Sequence, residues 1–263
     1  MAVRRGPGTL YRRLRSLQYL AGRDRAAVLA FLGARYPIPL SLPRRLALLR
    51  RFVATTNHVR AYHTQAEILT VVDRILRLAG RADLTVVEAG CGKGASTAKL
   101  SLATRVAGGR LLAFDSFRGL PENDEHHRNL DGRRVRFRAG AFTGRLPSVR
   151  RTVARFGAPE VCELRKGWFA DTLPAVTEAL DVVLLDVDLV ASTRTCVTHL
   201  YPRLRAGGVL FSQDGHLRAT VALLGEPRFW RDEVGVEPPE IPGLGIAKLL
   251  EIPAPRLRLG EPP

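Results

Sequence analysis

Residues 84–115 read LTVVEAGCGKGASTAKLSLATRVAGGRLLAFD, and their pattern decides the fold. A short apolar run closes on an acid and a glycine, a helical stretch follows and stops at Gly108-Gly109, and RLLAFD begins the next strand. The alternation continues downstream. After a polar loop and a helix over about 148–156 comes VCELRKG (161–167). DVVLLDVD (181–188) is a continuous apolar strand of the kind buried on both faces of a parallel sheet. STRTCVTHLYPRL (192–204) reads as a helix, GGVLFSQDG (207–215) as another buried strand, and GIAKLLEIP (245–253) as a last strand at the sheet's other end. This succession predicts an α/β fold with a mostly parallel, doubly wound sheet, right-handed crossovers, and ligands at the carboxyl ends of the strands.

Upstream, Ile68, Leu69, Val72, Ile75 and Leu76 form a helix-spaced apolar face over 64–78, closed by Gly80, and 46–54 reads as a further helix. Pro37, Pro39 and Pro43 interrupt the pattern, so 1–45 reads as an appendage. The expected organisation is a basic helical arm or lid over 1–60 and one larger domain over 61–263.

The net charge of +16 is uneven. Residues 1–60 hold 13 arginines and a single acid, Asp24. Lysine occurs four times in the whole chain, at 93, 99, 166 and 248, among 41 cationic residues. Arginine spread this widely reads as a composition bias rather than a phosphate-binding stripe, so nucleic acid is not the expected partner. Leu10, Leu14 and Leu17 alternating with Arg12, Arg13 and Arg15 describe a basic amphipathic helix, expected to pack on its own domain or on a second copy in a homodimer. Three cysteines without CxxC spacing exclude a disulfide framework and a zinc ribbon. No apolar run approaches the roughly 18 residues of a membrane span. The opening MAVRRGPGTLYRR lacks a signal peptide's apolar core, so a cytoplasmic location is expected.

Glycines 90, 92 and 94 bring a ligand close to the backbone just before a helix N-terminus. Gly90-x-Gly92-x-x-Ala95 also fits a dinucleotide loop, which stays open on this motif alone. S-adenosylmethionine is favoured, because Glu88 opposes a pyrophosphate and suits an ammonium group. The loop residues Glu88, Ala89, Gly90, Cys91, Gly92 and Ser96 are the candidate cofactor contacts. Asp115 ends the second strand, where an acid takes two ribose hydroxyls, with Ser116 beside it. Asp186, Asp188, Gln213 and Asp214 end two neighbouring strands. Three carboxylates there repel one another unless protons or a cation intervene, and Mg²⁺ is the matching hard ion. Helix capping by these acids is the alternative reading. His216 is a candidate for substrate or metal contact, His199 for packing, and His126-His127 for a polar surface loop or lid.

FDSFRGLPE (114–122), GAFTG (140–144), FGAPEVCELRKGWFADTLP (156–174), LLDVDLVAST (184–193) and LYPRLRAGGVLFSQD (200–214) occur in order. Together they resemble the macrocin O-methyltransferase family, which tailors antibiotic deoxysugars. The resemblance covers about 85–250. It implies a Rossmann-like class I methyltransferase fold with S-adenosylmethionine and Mg²⁺, and a glycosylated or hydroxylated natural product as acceptor. It also implies Asp186 as a metal ligand also near the cofactor, Asp188 as general base, Asp214 and Gln213 as the other metal ligands, and Trp168 near the adenine. Gln213 departs from the family's tandem aspartates, and Val190 stands where an aromatic is common. A different acceptor, a metal-independent site, or a non-catalytic cofactor-binding homologue are the other readings.

Overall fold

The computed structural model describes residues 22 and 24–255 of the 263-residue chain. The leucine-spaced basic stretch at 10–17 lies outside the described residues. Among the described residues, three helices, α1 (Arg25–Gly33), α2 (Leu42–His58) and α3 (Gln65–Arg77), precede β1 (Thr85–Ala89). Then follow α4 (Ala95–Ala107), β2 (Arg110–Asp115), a small hairpin of β3 (His127–Arg128) and β4 (Arg134–Val135), and α5 (Leu146–Phe156). The chain continues through β5 (Cys162–Lys166), a single turn α6 (Phe169–Thr172), β6 (Leu180–Leu185), α7 (Val190–Leu200), β7 (Leu204–Ser212), α8 (Arg218–Gly225) and β8 (Leu250–Pro253). The main sheet has the order β5-β2-β1-β6-β7-β8, parallel throughout except for β8, which runs antiparallel to β7 at the edge.

Strand alternation divides the core in two. Val86, Leu111, Val182 and Leu184 face one layer, with Phe31, Phe52, Ile68 and Leu100 from α1, α2, α3 and α4. Val87, Leu112, Val183 and Leu185 face the other, with Val197, Leu200, Leu224 and Trp230. Both faces of the central strands are covered, which explains why they read as unbroken apolar runs rather than as alternation.

The stretch read as an appendage contributes to this core. Phe31 is 2% exposed and Leu40 6%, and they share the buried cluster with α3 and β1. Arg45 closes the end of α1, donating to Phe31 O, Leu32 O and Leu40 O. Asp24 accepts from the amides of Gln65 and Ala66, at 3.2 Å each, capping α3 from 41 residues away. Thr64 and Glu67 complete a capping box on the same helix end. The prolines therefore shape a connection between packed helices. Among the described residues, no helix is long and apolar enough to cross a membrane.

Candidate functional site

A cavity of about 360 Å³ opens at the carboxyl ends of β1, β2, β6 and β7. Gly90, Cys91, Gly92 and Ser96 form one wall, where β1 turns into α4. Gly90 has φ +93°, and a Cβ there would lie 2.0 Å from the Asp186 carbonyl oxygen. Neither the conformation nor the space admits a side chain. Gly144 seals the loop from outside, since a Cβ on it would meet Gly92 O at 1.6 Å. The GAFTG segment thus lies flat on the glycine loop.

Asp115 holds the loop's shape. Its Oδ2 accepts from the amides of Cys91 and Gly92 at 2.8 and 3.1 Å, and its Oδ1 from Phe117 N at 2.6 Å. Burial raises its pKa, and these amides pull it back. The carboxylate still faces the cavity, as does Ser116, whose hydroxyl donates to Gly119 O. Trp168 lies on the same cavity wall. Glu88 and Ala89 stand behind the wall, both fully buried. Strand alternation turns the Glu88 side chain beneath the first turn of α4, beside Ser96 and Thr97, where burial lifts its pKa to about 7.

Asp186, Asp188 and Asp214 face the cavity with carboxylate oxygens within 4.8 Å of one another. Regular strand alternation does not produce this cluster. β6 ends at Leu185, and Asp188 adopts φ +62°. Asp214 Oδ2 holds that turn, accepting from Val187 N at 3.2 Å and Asp188 N at 3.0 Å. Gln213 is buried on the same wall, and among the described residues its Nε2 has no hydrogen-bond partner. Burial, then the charge of Asp214, raises Asp186 to about 7; burial with Asp214 and Asp186 raises Asp188 to about 8. Burial also raises Asp214. The set offers oxygen ligands of the kind a hard divalent cation takes, and without one it retains protons.

This proton retention is measurable. Unfolded Asp188 ionises near 3.8, folded Asp188 near 8, so between those values the folded state binds the extra proton. Stability contributed by this group is greatest in acid and falls as pH rises. Metal-free wild type should therefore lose Tm relative to Asp188→Asn between about pH 4 and 8, and Mg²⁺ should narrow the gap. A pH-independent gap would mean that Asp188 is ionised in the fold.

Residues 116–145 cover the cavity from the other side. Leu120, Val135, Phe137 and Phe142 line it, while Arg134, Arg136 and Arg138 point outward. His127 is not in a solvent loop: it is 2% exposed, edge-on to Phe137, with Glu125 Oε2 at 3.0 Å from its Nε2. Glu125 also accepts from Val190 N and Ala191 N, capping α7. His126 is exposed, His199 is half-buried on α7 away from the cavity, and His216 lines the cavity.

The sequence model of macrocin O-methyltransferases (TylF) matches residues 69–236, more than half of the chain. The chain belongs to the macrocin O-methyltransferase family. The 8-demethyl-8-(2,3-dimethoxy-alpha-L-rhamnosyl)-tetracenomycin-C 4'-O-methyltransferase of Streptomyces olivaceus is 32% identical over 169 residues, 61% of this chain and 64% of that enzyme. Mycinamicin III 3''-O-methyltransferase of Micromonospora griseorubida is 32% identical over 38% of this chain and 41% of its own length. The match therefore spans less than two thirds of either relative. The O-methyltransferase NovP superposes with a TM-score of 0.57 at 20% identity, covering 95% of this chain and all of that one. The calicheamicin methyltransferase CalS11 gives 0.56 at 16% identity over 95% and 94%. The fold is the Rossmann-like methyltransferase fold.

Within this macrocin O-methyltransferase family member, the matched region contains Asp115, Trp168, Asp186, Asp188, Gln213 and Asp214. Tyr62, His63 and Lys248 line the cavity from outside it, and no motif pointed to them. A compositional signal did exist. Of the four lysines in an arginine-rich chain, Lys93 and Lys248 line the cavity and Lys99 is buried behind it.

Proposed function

We propose that this chain is an S-adenosylmethionine-dependent O-methyltransferase acting on a hydroxyl of a small-molecule natural product, a sugar moiety first among the candidates. The observation that carries this reading is that the glycine loop and the three-carboxylate cluster open onto one cavity. Its volume falls within the ~300–1,000 Å³ of small-molecule sites. The names of the two relatives above place their methyl groups on hydroxyls of tetracenomycin and mycinamicin compounds.

The residues present fit both groups that the fold family implies. S-adenosylmethionine supplies a methyl group already activated on a sulfonium. The side-chain-free approach at Gly90, the Asp115 carboxylate, Ser116 and the Trp168 ring would hold it. A divalent cation held by Asp186, Asp214 and Gln213 supplies Lewis acidity toward acceptor oxygens. Gln213 gives this set one negative charge fewer than an aspartate would.

The chain's own contribution is alignment and one proton. Asp188 would accept the proton of the acceptor hydroxyl as the methyl group passes from the bound sulfonium, which leaves as the thioether, to that oxygen. Asp214 fixes the backbone that carries this base. Leu120, Phe137 and Phe142 present apolar surface that excludes water from the reacting atoms.

The test is incubation with S-adenosylmethionine, Mg²⁺ and a panel of glycosylated acceptors, following S-adenosylhomocysteine release and one added methyl by mass spectrometry. Donor-dependent methylation of a hydroxyl is expected. Protein that binds neither S-adenosylmethionine nor S-adenosylhomocysteine would overturn the reading.

A further inference from the structure

Lys99 is in the first turns of α4 and is 1% exposed, yet among the described residues no carboxylate bonds to it. Its Nζ donates to Thr56 Oγ1 at 2.8 Å and to His63 Nε2 at 2.9 Å. Thr56 gives its own hydroxyl proton to Phe52 O at 3.1 Å, so its oxygen can only accept from Lys99. An ammonium buried against two neutral acceptors is costly to keep, and burial accordingly pulls the lysine down to about 7.

The arrangement dictates the state of His63. Burial and two nearby ammonium groups, Lys99 and Lys248, hold the ring neutral. With Lys99 as the ammonium, Nε2 can only accept, which puts the ring's single N–H on Nδ1. The ring lines the cavity, and among the described residues Nδ1 has no hydrogen-bond partner. The charges that act on it are both positive. Lys248, on the same wall, is anchored on Tyr62 O at 3.2 Å and Glu67 Oε2 at 3.3 Å. Lys248 is paired with Glu67, but among the described residues no carboxylate bonds to the ring, and an N–H so placed beside ammonium groups is half of an anion site.

We propose that His63, oriented by Lys99, is the carboxylate-binding corner of the cavity and holds the amino-acid end of the methyl donor through its Nδ1–H. The inference rests on the methyl-donor reading above. His63 itself lies outside the region matched by the family model, and Lys99 inside it. It also assigns opposite polarities to two parts of one cavity: three carboxylates face the acceptor, and a neutral donor backed by cations faces the donor's carboxylate. Lys99 does not reach the ligand; it is a positioning residue that selects the tautomer and polarises the ring.

Calorimetric titration of the full chain with S-adenosylhomocysteine and with its decarboxylated analogue, which lacks only the carboxylate, tests this. His63→Ala and Lys99→Met should each weaken S-adenosylhomocysteine binding by about 10- to 100-fold, the range for a lost hydrogen bond to a charged group. The decarboxylated analogue should bind wild type and variants within about twofold. His63→Gln, which keeps an N–H donor, should recover part of the loss, and the Gln/Ala pair carries the test if Lys99→Met does not fold. Equal weakening of both ligands, or undiminished S-adenosylhomocysteine affinity, overturns the assignment. Wild type that binds neither nucleoside refutes the methyl-donor reading itself, and the proposal falls with it.

Discussion

Asp188→Asn should lower turnover by about 10²- to 10⁴-fold, the contribution of a positioned general base, while leaving S-adenosylhomocysteine affinity unchanged. The substitution keeps volume and left-handed backbone preference, since asparagine tolerates a positive φ as well as aspartate does, and Asp188 sits at φ +62°. Asp214 still accepts the amide of residue 188, so the turn keeps its shape. What disappears is the proton acceptor. Steady-state kinetics with titration of the donor product separates the two effects. Retained kcat would remove Asp188 from the chemistry, and loss of donor binding would make its role structural.

Gly90→Ala should be strongly damaging, because it combines a backbone clash with a left-handed φ. The new Cβ would fall 2.0 Å from Asp186 O, a backbone atom that cannot swing aside, at a φ of +93°. Backbone strain and overpacking together are expected to cost about 2–5 kcal/mol, a fall in Tm of roughly 5–15 °C for a chain of this size. Relief by displacing Asp186 would also disturb the carboxylate cluster. Gly80→Ala is the matched control: φ is +83°, but nothing lies within 4 Å of its Cβ, so it carries the conformational cost alone. Differential scanning calorimetry of the two variants should separate them clearly. Similar Tm values would show that the loop yields where the packing says that it cannot.

The sheet was legible because its central strands are apolar on both faces, and because each ends in a short polar signature at the edge where ligands bind. Asp115, Asp186, Asp188 and Asp214 were readable for that reason: position along a strand predicted position in space. The partners of these acids were not readable. The hold of Asp214 on residues 187 and 188 spans 27 and 26 residues and depends on how two strand ends meet. Glu88 looked like a ligand because it precedes the glycines, but alternation turns it beneath α4. The segment around Pro37 looked detached since its anchors, Asp24 on α3 and Arg45 on α1, are made across long stretches of chain. In the cover over the cavity only 134–138 alternate, too short a run to be read as a strand, and Glu125, which serves His127 and the start of α7 at once, ties it down.

The scarcity of lysine has a practical consequence. Selective isotopic labelling of that one amino acid would yield a spectrum of four signals for the whole chain, at positions 93, 99, 166 and 248. Two of those reporters line the cavity and a third touches its wall through His63, so ligand occupancy becomes visible by resonance without engineered tags or full assignment.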